Sequence, residues 1–431
     1  MSATVGAARR ADLKTDARTL IALGAGLIVA LWLADQIEMS LVMAFVAWVL
    51  IALRTVFHQN AWVRRGTVVA LLAWAIILPF FHDSGAGFIE DATLALAYTV
   101  MALGLNLIVG FAGLLDAGYV AFYALGALTS GWFMSGFFVN AGGGEGFSLL
   151  VGEPASTLPG VHFNFLLVII IAVIVTTIAG MLIGLPTLRL RGDYIAIVTL
   201  AFGEIIGRLV INGDEITIAG ERLTAGRQGI TPIDKIDLPF VEPFTGLELR
   251  PWYFVALFVN FRLRDSRLGR AWIALREDEV AAASMGVPLV RTKLMAYGTG
   301  AAFGGMAGVF LGSYLNTVNA DQFAFQFSIF VLAMVILGGL GSIEGVMLGA
   351  IVLTFINFNL IPDVFNDYPQ KIGLDFDLTE LSFGIFGFLL VIMMVLRPEG
   401  LIPERRRKLE LRTGIGDTEL GGGDTIEEVR A

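Results

Sequence analysis

The sequence predicts an all-α fold, a polytopic transmembrane helical bundle of about 11–12 spans with one broken or re-entrant Gly-rich segment. Three observations predict this class: 56% of the 431 residues are hydrophobic, only 16% are charged, and long apolar runs recur along the chain. Soluble domains carry about 25% charged residues, so this chain lacks the polar surface that a globule in water needs. The bilayer is therefore the expected solvent.

Each span needs about 20 mainly apolar residues, because in lipid every backbone N–H and C=O group must be paired within the helix. Two of the predicted spans are unusual. Leu114–Phe138 is Gly-rich and follows its predecessor closely, so we expect it to be broken or re-entrant. Trp252–Phe261 is about half as long as a full span, yet the charge pattern requires a crossing there. The predicted spans are Thr19–Ala34, Met39–Phe57, Gly66–Phe81, Ala92–Gly110, Leu114–Phe138, Phe163–Leu185, Tyr194–Ile211, Trp252–Phe261, Leu294–Leu315, Phe325–Leu340, Gly345–Leu360 and Leu378–Leu396.

Lysine and arginine concentrate in alternate connections, which indicates the orientation, because cytoplasmic loops retain cations during insertion. Residues 1–18, 54–65, 186–193, 262–293 and 397–431 hold 23 of the 29 Lys and Arg residues, and the intervening connections are acidic. This alternation places both termini in the cytoplasm.

The chain divides by composition into four parts. They are a cytoplasmic N-terminal tail (1–18), a three-span region (19–81), a core (82–396) and a cytoplasmic C-terminal tail (397–431). The C-terminal tail has the composition of a disordered segment. Within the core, segments 139–162 and 212–250 are polar and rich in Gly and Pro, and on this topology they face the periplasm as docking surfaces.

Composition excludes several kinds of site. The chain has no cysteine and three widely separated histidines, so we expect no disulfide, no metal centre and no cysteine nucleophile. A net charge of −9 argues against a nucleic-acid partner. A Walker A motif needs a Gly-Lys dipeptide, which is absent from the chain. We therefore expect no catalytic site and no cofactor bound by this chain, with any ATP hydrolysis on other subunits.

The cytoplasmic segment 269–293 has the sequence GRAWIALREDEVAAASMGVPLVRTK, and its residues Ala271 through Met285 predict an amphipathic helix. Its apolar positions are Trp272, Leu275, Ala282 and Met285. Gly286 can end the helix with a left-handed residue, and Pro288 prevents its continuation. Such a helix between two spans either docks into a groove on a nucleotide-binding subunit, as a rigid lever, or only links the spans.

Four polar residues lie within apolar surroundings: Asn106, Asp116, Glu204 and Arg208. Isolated polar groups in membrane spans usually face a bundle interior or an aqueous path, so these four are candidates for translocation or gating. Two alternatives remain open. Glu204 and Arg208 are four residues apart and could form a structural ion pair near the membrane surface. Asn106 could bond a neighbouring helix rather than a substrate.

A Gly-rich stretch lies between two late spans. Gly338, Gly339 and Gly341, followed by Ser342, permit a tight turn or a broken helix. These glycines do not form a phosphate-binding loop, because the required Lys is missing.

Four stretches in order resemble branched-chain amino acid ABC transporter permeases of the LivM type, within the LivM/LivH permease superfamily. They are LGLNLIVGFAGLLDAGYVAFYALGAL (103–128), LRLRGDYIAIVTLAFGEIIGRLV (188–210), the segment 269–293 and LGGLGSIEGVMLGA (337–350). Residues 19–81 are similar to the additional spans of the longer members. The resemblance implies ATPase coupling by Gly269, Arg270, Arg276, Glu277, Asp278, Glu279, Ala281, Ala282 and Gly286.

Some residues depart from the family pattern. Glu279 stands slightly early for the coupling consensus, Val346 replaces a common proline, and Asp116 replaces a small polar residue. The span ending at Phe261 is shorter than its counterpart in relatives.

The resemblance implies a permease subunit of an ATP-binding cassette importer in the bacterial inner membrane. Its implied partners are a second homologous permease, two cytoplasmic ATPase subunits that bind ATP and Mg²⁺, and a periplasmic binding protein that delivers leucine, isoleucine or valine. A permease for urea, short amides or other small organic solutes is an alternative within the same family. An ion-coupled secondary transporter is an alternative of a different class, because it also uses broken helices and repeats.

Overall fold

The computed structural model describes residues 87–140, 144–151, 159–188, 190, 192–218, 220–236, 250–365, 381–396 and 400–402. The predicted N-terminal tail, the three-span region 19–81 and most of the C-terminal tail lie outside the described residues. The chain divides into two compact units, Met1–Thr93 with Thr245–Leu247 and Leu94–Phe244 with Glu248–Ala431. The side-chain contacts described below lie within the second unit.

The described part of the chain is mainly helical with only short strands, which confirms the predicted all-α class. Its α-helices are α1 (Gly87–Asn106), α2 (Val120–Phe133), α3 (Phe165–Thr187), α4 (Asp193–Ile211), α5 (Arg250–Arg264), α6 (Arg267–Glu277), α7 (Glu279–Ser284), α8 (Leu289–Tyr314), α9 (Phe325–Gly338), α10 (Ile343–Phe355) and α11 (Ser382–Leu396). Two π-helical segments, Leu107–Phe111 and Ile356–Phe365, continue α1 and α10.

Among the described residues, four helical stretches are long and apolar enough to cross a membrane: Thr93–Phe111, Phe165–Thr187, Tyr194–Ile211 and Leu289–Tyr314. They coincide within a few residues with four of the predicted spans. The shorter apolar helices are Val120–Phe133, Phe325–Gly338, Ile343–Phe358 and Gly384–Leu396. The chain is therefore a multi-pass membrane protein.

The two unusual spans differ from regular crossings in the structure. Residues 112–119 are not helical, and α2 begins only at Val120, so the segment Leu114–Phe138 is broken as expected. The helix around Trp252–Phe261 is longer than predicted, because it extends to Arg264. Arginine is a good helix former, and cations in a last turn interact favourably with the helix dipole, so the charge that ended the apolar run did not end the helix.

The centre of the fold is α8, which packs on α3 and α2 through a face of small residues. A Cβ atom added to Gly308 would lie 2.4 Å from the Tyr123 carbonyl oxygen, and one added to Gly305 would lie 2.4 Å from the Thr176 hydroxyl. Only glycine allows the backbones to approach this closely. In a membrane such close packing drives helix association, because lipid is as apolar as the side chains.

Short strands lie at the end of the segment Leu114–Phe138 and in the polar connections that follow α2 and α4. Strands β1 (Met134–Ser135), β2 (Phe147–Leu149) and β3 (Val161–Phe163) form a sheet in the order β1-β3-β2, with Met134 antiparallel to His162 and Phe147 parallel to Val161. A hairpin joins β4 (Thr217–Ile218) to β5 (Glu221–Arg222). These pieces satisfy backbone groups locally without changing the fold class.

A buried histidine–aspartate contact joins the two polar connections. His162 Nδ1 lies 2.7 Å from Asp234 Oδ2, and both side chains are almost fully buried. The Ser313 hydroxyl, at the end of α8, donates to the Asp234 carbonyl oxygen at 2.6 Å. The pair therefore fixes both connections to the end of the central helix.

Candidate functional site

The segment predicted as one amphipathic helix consists of two, and in this respect the prediction was wrong. Helix α6 ends at Glu277, Asp278 is extended, and α7 begins at Glu279. The Asp278 carboxylate accepts hydrogen bonds from the backbone N–H groups of Val280 and Ala281, at 2.8 and 3.0 Å. An aspartate that caps a following helix competes with continuation of the preceding one, which explains the break.

The end of α7 follows the prediction. Gly286 has a φ of +86°, and its N–H and that of Val287 donate to the carbonyl oxygens of Ala283 and Ala282. This pair of bonds is a Schellman ending, which glycine adopts without steric cost. Pro288 then precedes α8.

The buried face of the segment is held against the central helix. Trp272 is fully buried, and its indole N–H donates to the Thr292 carbonyl oxygen at 2.9 Å. Leu275 and Ala282 are buried as predicted, whereas Met285 is 86% exposed and does not belong to this face. Met285 is the C-cap residue that follows α7, so it lies beyond the helical face that carries Ala282.

Glu279, which stands slightly early for the coupling consensus, pairs with Lys293. The Lys293 Nζ atom lies 2.7 Å from Glu279 Oε1, and the two side chains are 6% and 36% exposed. The ion pair joins the start of α7 to the first turns of α8. A buried lysine needs a carboxylate partner.

The remaining predicted coupling residues lie at the start of the segment or on its exposed side. Gly269 is buried in the first turn of α6, where its N–H donates to the Ser266 hydroxyl at 3.1 Å. Arg270 is exposed and donates to the Asp265 carbonyl oxygen at 2.8 Å. Glu277 and Ala281 are exposed.

Arg276 connects this segment to the first helix break. Its Nη1 atom donates to the Gly110 carbonyl oxygen at 2.6 Å, within the π-helical turn Leu107–Phe111. Gly113, with a φ of +70°, packs on the same side chain, so that an added Cβ would lie 2.7 Å from the Arg276 Cγ. The arginine therefore contacts both the π-helical turn and the non-helical residues that follow it.

Asn106 connects the first helix break to the second. Its Oδ1 atom accepts a hydrogen bond from the Gly341 N–H at 2.9 Å, and the residue is fully buried. A Cβ atom at Gly110 would collide with both the Asn106 Oδ1 and the Gly341 nitrogen. The structure therefore brings Arg276, Gly110, Asn106 and Gly341 into one continuous chain of contacts.

The second break is the Gly-rich turn, which the structure places between α9 and α10 as predicted. Helix α9 ends at Gly338, and Gly339 and Gly341 have φ angles of +120° and +84°. The Ser342 hydroxyl accepts from the Gly345 N–H at 3.0 Å and so caps α10. The backbone N–H groups of Leu401 and Ile402 donate to the last carbonyl oxygens of α9.

Asp116 lies in the non-helical residues of the first break. It is 2% exposed, and its Oδ1 accepts from the Gly118 N–H at 2.9 Å. The adjacent Ala117 N–H donates to the Thr199 hydroxyl of α4 at 3.0 Å. Burial of a carboxylate is costly, so its place inside the bundle keeps it a candidate for the translocation path.

Neighbouring helices complete the hydrogen bonding of this break. The Tyr119 hydroxyl donates to the Gly300 carbonyl oxygen of α8 at 2.8 Å. The Val120 N–H donates to the Ser328 hydroxyl of α9 at 3.0 Å. Irregular backbone at membrane depth is tolerated where protein surrounds it, as it does here.

Glu204 and Arg208 are not part of this buried group. Arg208 Nε lies 3.0 Å from Glu204 Oε1, so they form the ion pair that their spacing allows, and their side chains are 50% and 67% exposed. The four polar candidates therefore separate into two buried residues, Asn106 and Asp116, and one exposed pair.

Several partners could not be found by spacing along the chain. Thr292 accepts one hydrogen bond from Trp272, and Thr199 accepts one from the Ala117 N–H, and both donors are remote in the sequence. His162 and Asp234 are 72 residues apart. Among these contacts, only the pairing of Lys293 could have been expected from the sequence, because a lysine at the entry to an apolar span requires a carboxylate nearby.

Comparison with known proteins identifies the family. Residues 87–394 match the family model described as "Branched-chain amino acid transport system / permease component". The chain is similar to the high-affinity branched-chain amino acid transport system permease protein LivM of Escherichia coli (strain K12), at 38% identity over 379 residues, which cover 82% of this chain and 78% of that protein.

Two further relatives are more distant. The probable branched-chain amino acid transport permease protein LivM of Methanocaldococcus jannaschii is 28% identical over 332 residues, which are 72% of this chain and 91% of that protein. The E. coli high-affinity branched-chain amino acid transport system permease protein LivH is 26% identical over 150 residues, covering 35% and 44%. No solved structure matches the chain.

The matched region contains both helix breaks and the whole of the segment 269–293, so the geometry described above lies within the shared part. The chain therefore belongs to the family of branched-chain amino acid transport system permease components.

Proposed function

We propose that this chain is the membrane-spanning permease subunit of an ATP-binding cassette importer that carries leucine, isoleucine and valine across the bacterial inner membrane. Family membership and the names of the relatives support the transport reaction and its substrate class. The observation that supports coupling of transport to ATP hydrolysis is the hydrogen bond from Arg276 to the Gly110 carbonyl oxygen. This bond links the segment 269–293 to a helix break.

The assembly in this proposal has five subunits. A second homologous permease pairs with this chain, two cytoplasmic ATPases bind ATP and Mg²⁺, and a periplasmic binding protein delivers the amino acid. Both termini of this chain lie in the cytoplasm, in agreement with the distribution of Lys and Arg.

The ATPases dock on the exposed side of α6 and α7. Val280 and Met285 are 68% and 86% exposed, and they offer apolar side chains to a groove on an ATPase subunit. The opposite side is fixed to the membrane part by Trp272 and by the Glu279–Lys293 ion pair. A push on α7 is therefore passed to α8 and, through Arg276, to the π-helical turn.

Transport follows from a shift between two arrangements of the bundle. The chain of contacts from Arg276 through Gly110 and Asn106 to Gly341 joins two helix breaks, which are the places where a helical bundle can bend. ATP binding favours one arrangement and hydrolysis the other, so the solute site is open to each side in turn.

The test is isolation of the tagged chain from its native membrane, followed by transport assays on the isolated complex in proteoliposomes. We expect two ATPase subunits and a second permease to be isolated with the chain, and we expect leucine uptake to require ATP and the binding protein. Uptake by the chain alone driven by an ion gradient would overturn the proposal in favour of a secondary transporter. Uptake of urea but not leucine would overturn the substrate assignment.

A further inference from the structure

One side of α4 is exposed and carries charge. Five of the exposed residues recur at intervals of three and four, which places them on one helical face, and we call this set the α4 stripe. The apolar residues Leu200 and Ile205 are also exposed and flank it. The α4 stripe consists of Tyr194, Ile197, Ala201, Glu204 and Arg208. Its central feature is the ion pair between the last two, with Arg208 Nε 3.0 Å from Glu204 Oε1.

The opposite side of α4 is already occupied by the rest of the chain. Thr199 accepts a hydrogen bond from the Ala117 N–H, and a Cβ atom at Gly203 would lie 3.0 Å from the Gly118 Cα. Helix α4 therefore lies directly over the buried Asp116, and the α4 stripe is the outer surface of this layer.

The exposed sides of two other helices provide a comparison within the same molecule. All exposed residues of α3 are apolar, and so are those described on α11. The largest of them are Ile170, Ile174, Ile178, Leu182, Phe388, Val391, Val395 and Leu396. These two faces are suited to lipid tails, whereas the part of the α4 stripe that carries Glu204 and Arg208 is not.

The position of the charges makes lipid contact unfavourable. Arg208 is in the last turn of α4, where a long side chain can extend toward the membrane surface. Glu204 lies nearer the middle of the helix, and its shorter side chain cannot do the same. Charged groups at this depth usually face protein or an aqueous cavity.

We propose that the α4 stripe is the surface that packs against the second permease subunit, and that the Glu204–Arg208 pair borders the solute path between the two permeases. This inference rests on the proposed function, which requires such a partner. The half-exposed carboxylate and guanidinium keep polar atoms accessible, so a polar surface on the partner can complete their hydrogen bonding. A partner of the same family is favoured because the chain also resembles LivH, a permease protein named for the same E. coli transport system as LivM.

The chain has no cysteine, so single cysteines can be placed without altering the background. Ile197→Cys and Ala201→Cys lie in the α4 stripe, and Ile174→Cys and Ile178→Cys on α3 are the matched controls. Each variant is labelled with a benzophenone maleimide in the intact complex, irradiated in native membranes and separated by mass, with the products identified by mass spectrometry.

We expect both α4 positions to form a product with the second permease at several times the yield of the α3 controls. Equal yields from both faces, or products that join two copies of this chain, would overturn the inference. Failure of the proposed function gives a different result: no second permease is then isolated even with the unlabelled chain.

A second measurement tests the ion pair itself. Glu204→Arg should lower the amount of second permease that is isolated with the chain at least several-fold, and the exchange Glu204→Arg with Arg208→Glu should restore most of it. The control Ile178→Arg places a charge on the α3 face and should impair membrane insertion without a specific loss of the partner. An unchanged amount of partner in the Glu204→Arg variant would contradict the inference.

Discussion

The Arg276 guanidinium lies 2.6 Å from the Gly110 carbonyl oxygen, although the two residues are 166 positions apart in the chain. This bond joins the amphipathic segment between α5 and α8 to a π-helical turn inside a membrane span. Hydrogen bonds from charged donors are about twice as strong as neutral ones, so the contact is suited to carrying force.

Arg276→Gln should separate ATP hydrolysis from transport. The shorter amide cannot reach the Gly110 carbonyl, so we expect leucine uptake to fall at least tenfold while the assembled complex keeps its ATPase activity. Arg267→Gln, an exposed residue of the same helix, is the control and should leave both rates unchanged. Normal uptake by an assembled Arg276→Gln complex would contradict the transmission role.

Asn106→Ala should loosen the contact between the two helix breaks. It leaves the buried Gly341 N–H without its acceptor, which costs about 1–3 kcal/mol. We expect a lower thermal midpoint of the purified complex. Thr99→Val, also buried in α1, removes only a bond from the Thr99 hydroxyl to the Ala95 carbonyl oxygen and should change the midpoint little. Equal midpoints for the two variants would show that the Asn106 bond contributes no stability.

Glu279→Ala and Lys293→Met should differ in cost although they break the same ion pair. Removal of the carboxylate strands an ammonium group on a side chain that is 6% exposed, whereas removal of the lysine leaves a carboxylate that is 36% exposed and can be hydrated. We expect the first variant to lose about 3 kcal/mol of unfolding free energy and the second clearly less. Chemical denaturation measures the free energy of unfolding of both single variants, with the double variant as reference. Equal losses in the two single variants would contradict the expected difference.

Gly286→Ala should destabilise the end of α7. The residue has a φ of +86° with open space around it, so the cost is conformational and amounts to about 1–2 kcal/mol. Gly286→Asn should recover part of this loss, because asparagine tolerates the left-handed region. Gly384→Ala is the matched control, since that glycine also has open space but no positive φ. The rate of proteolysis within residues 278–288 reports local opening of this helix end. Equal proteolysis rates for the two alanine variants would contradict the explanation that the positive φ of Gly286 causes the cost.

The predicted spans of the described region agree well with the helices because lipid imposes a strict requirement on sequence. A crossing helix needs a long apolar run, and this run can be read without knowledge of any contact. The breaks at Leu114–Phe138 and at Gly338–Ser342 were predictable from local sequence as well, since glycine at those positions permits conformations that few other residues adopt. Gly286 and Pro288 likewise end a helix through local chemistry alone.

The sequence alone also singled out Asn106, Asp116, Glu204 and Arg208 as polar residues in apolar surroundings, but it did not determine where they point. The bond between Asn106 and Gly341 joins residues 235 positions apart, and the burial of Asp116 depends on α4 packing over it. The single helix predicted from Ala271 through Met285 is two helices in the structure because Asp278 caps α7. Hydrophobicity and turn chemistry are properties of a few neighbouring residues, whereas contacts and exposure arise only when distant helices pack together. The tertiary structure therefore decided which charges are enclosed and which form the exposed α4 stripe.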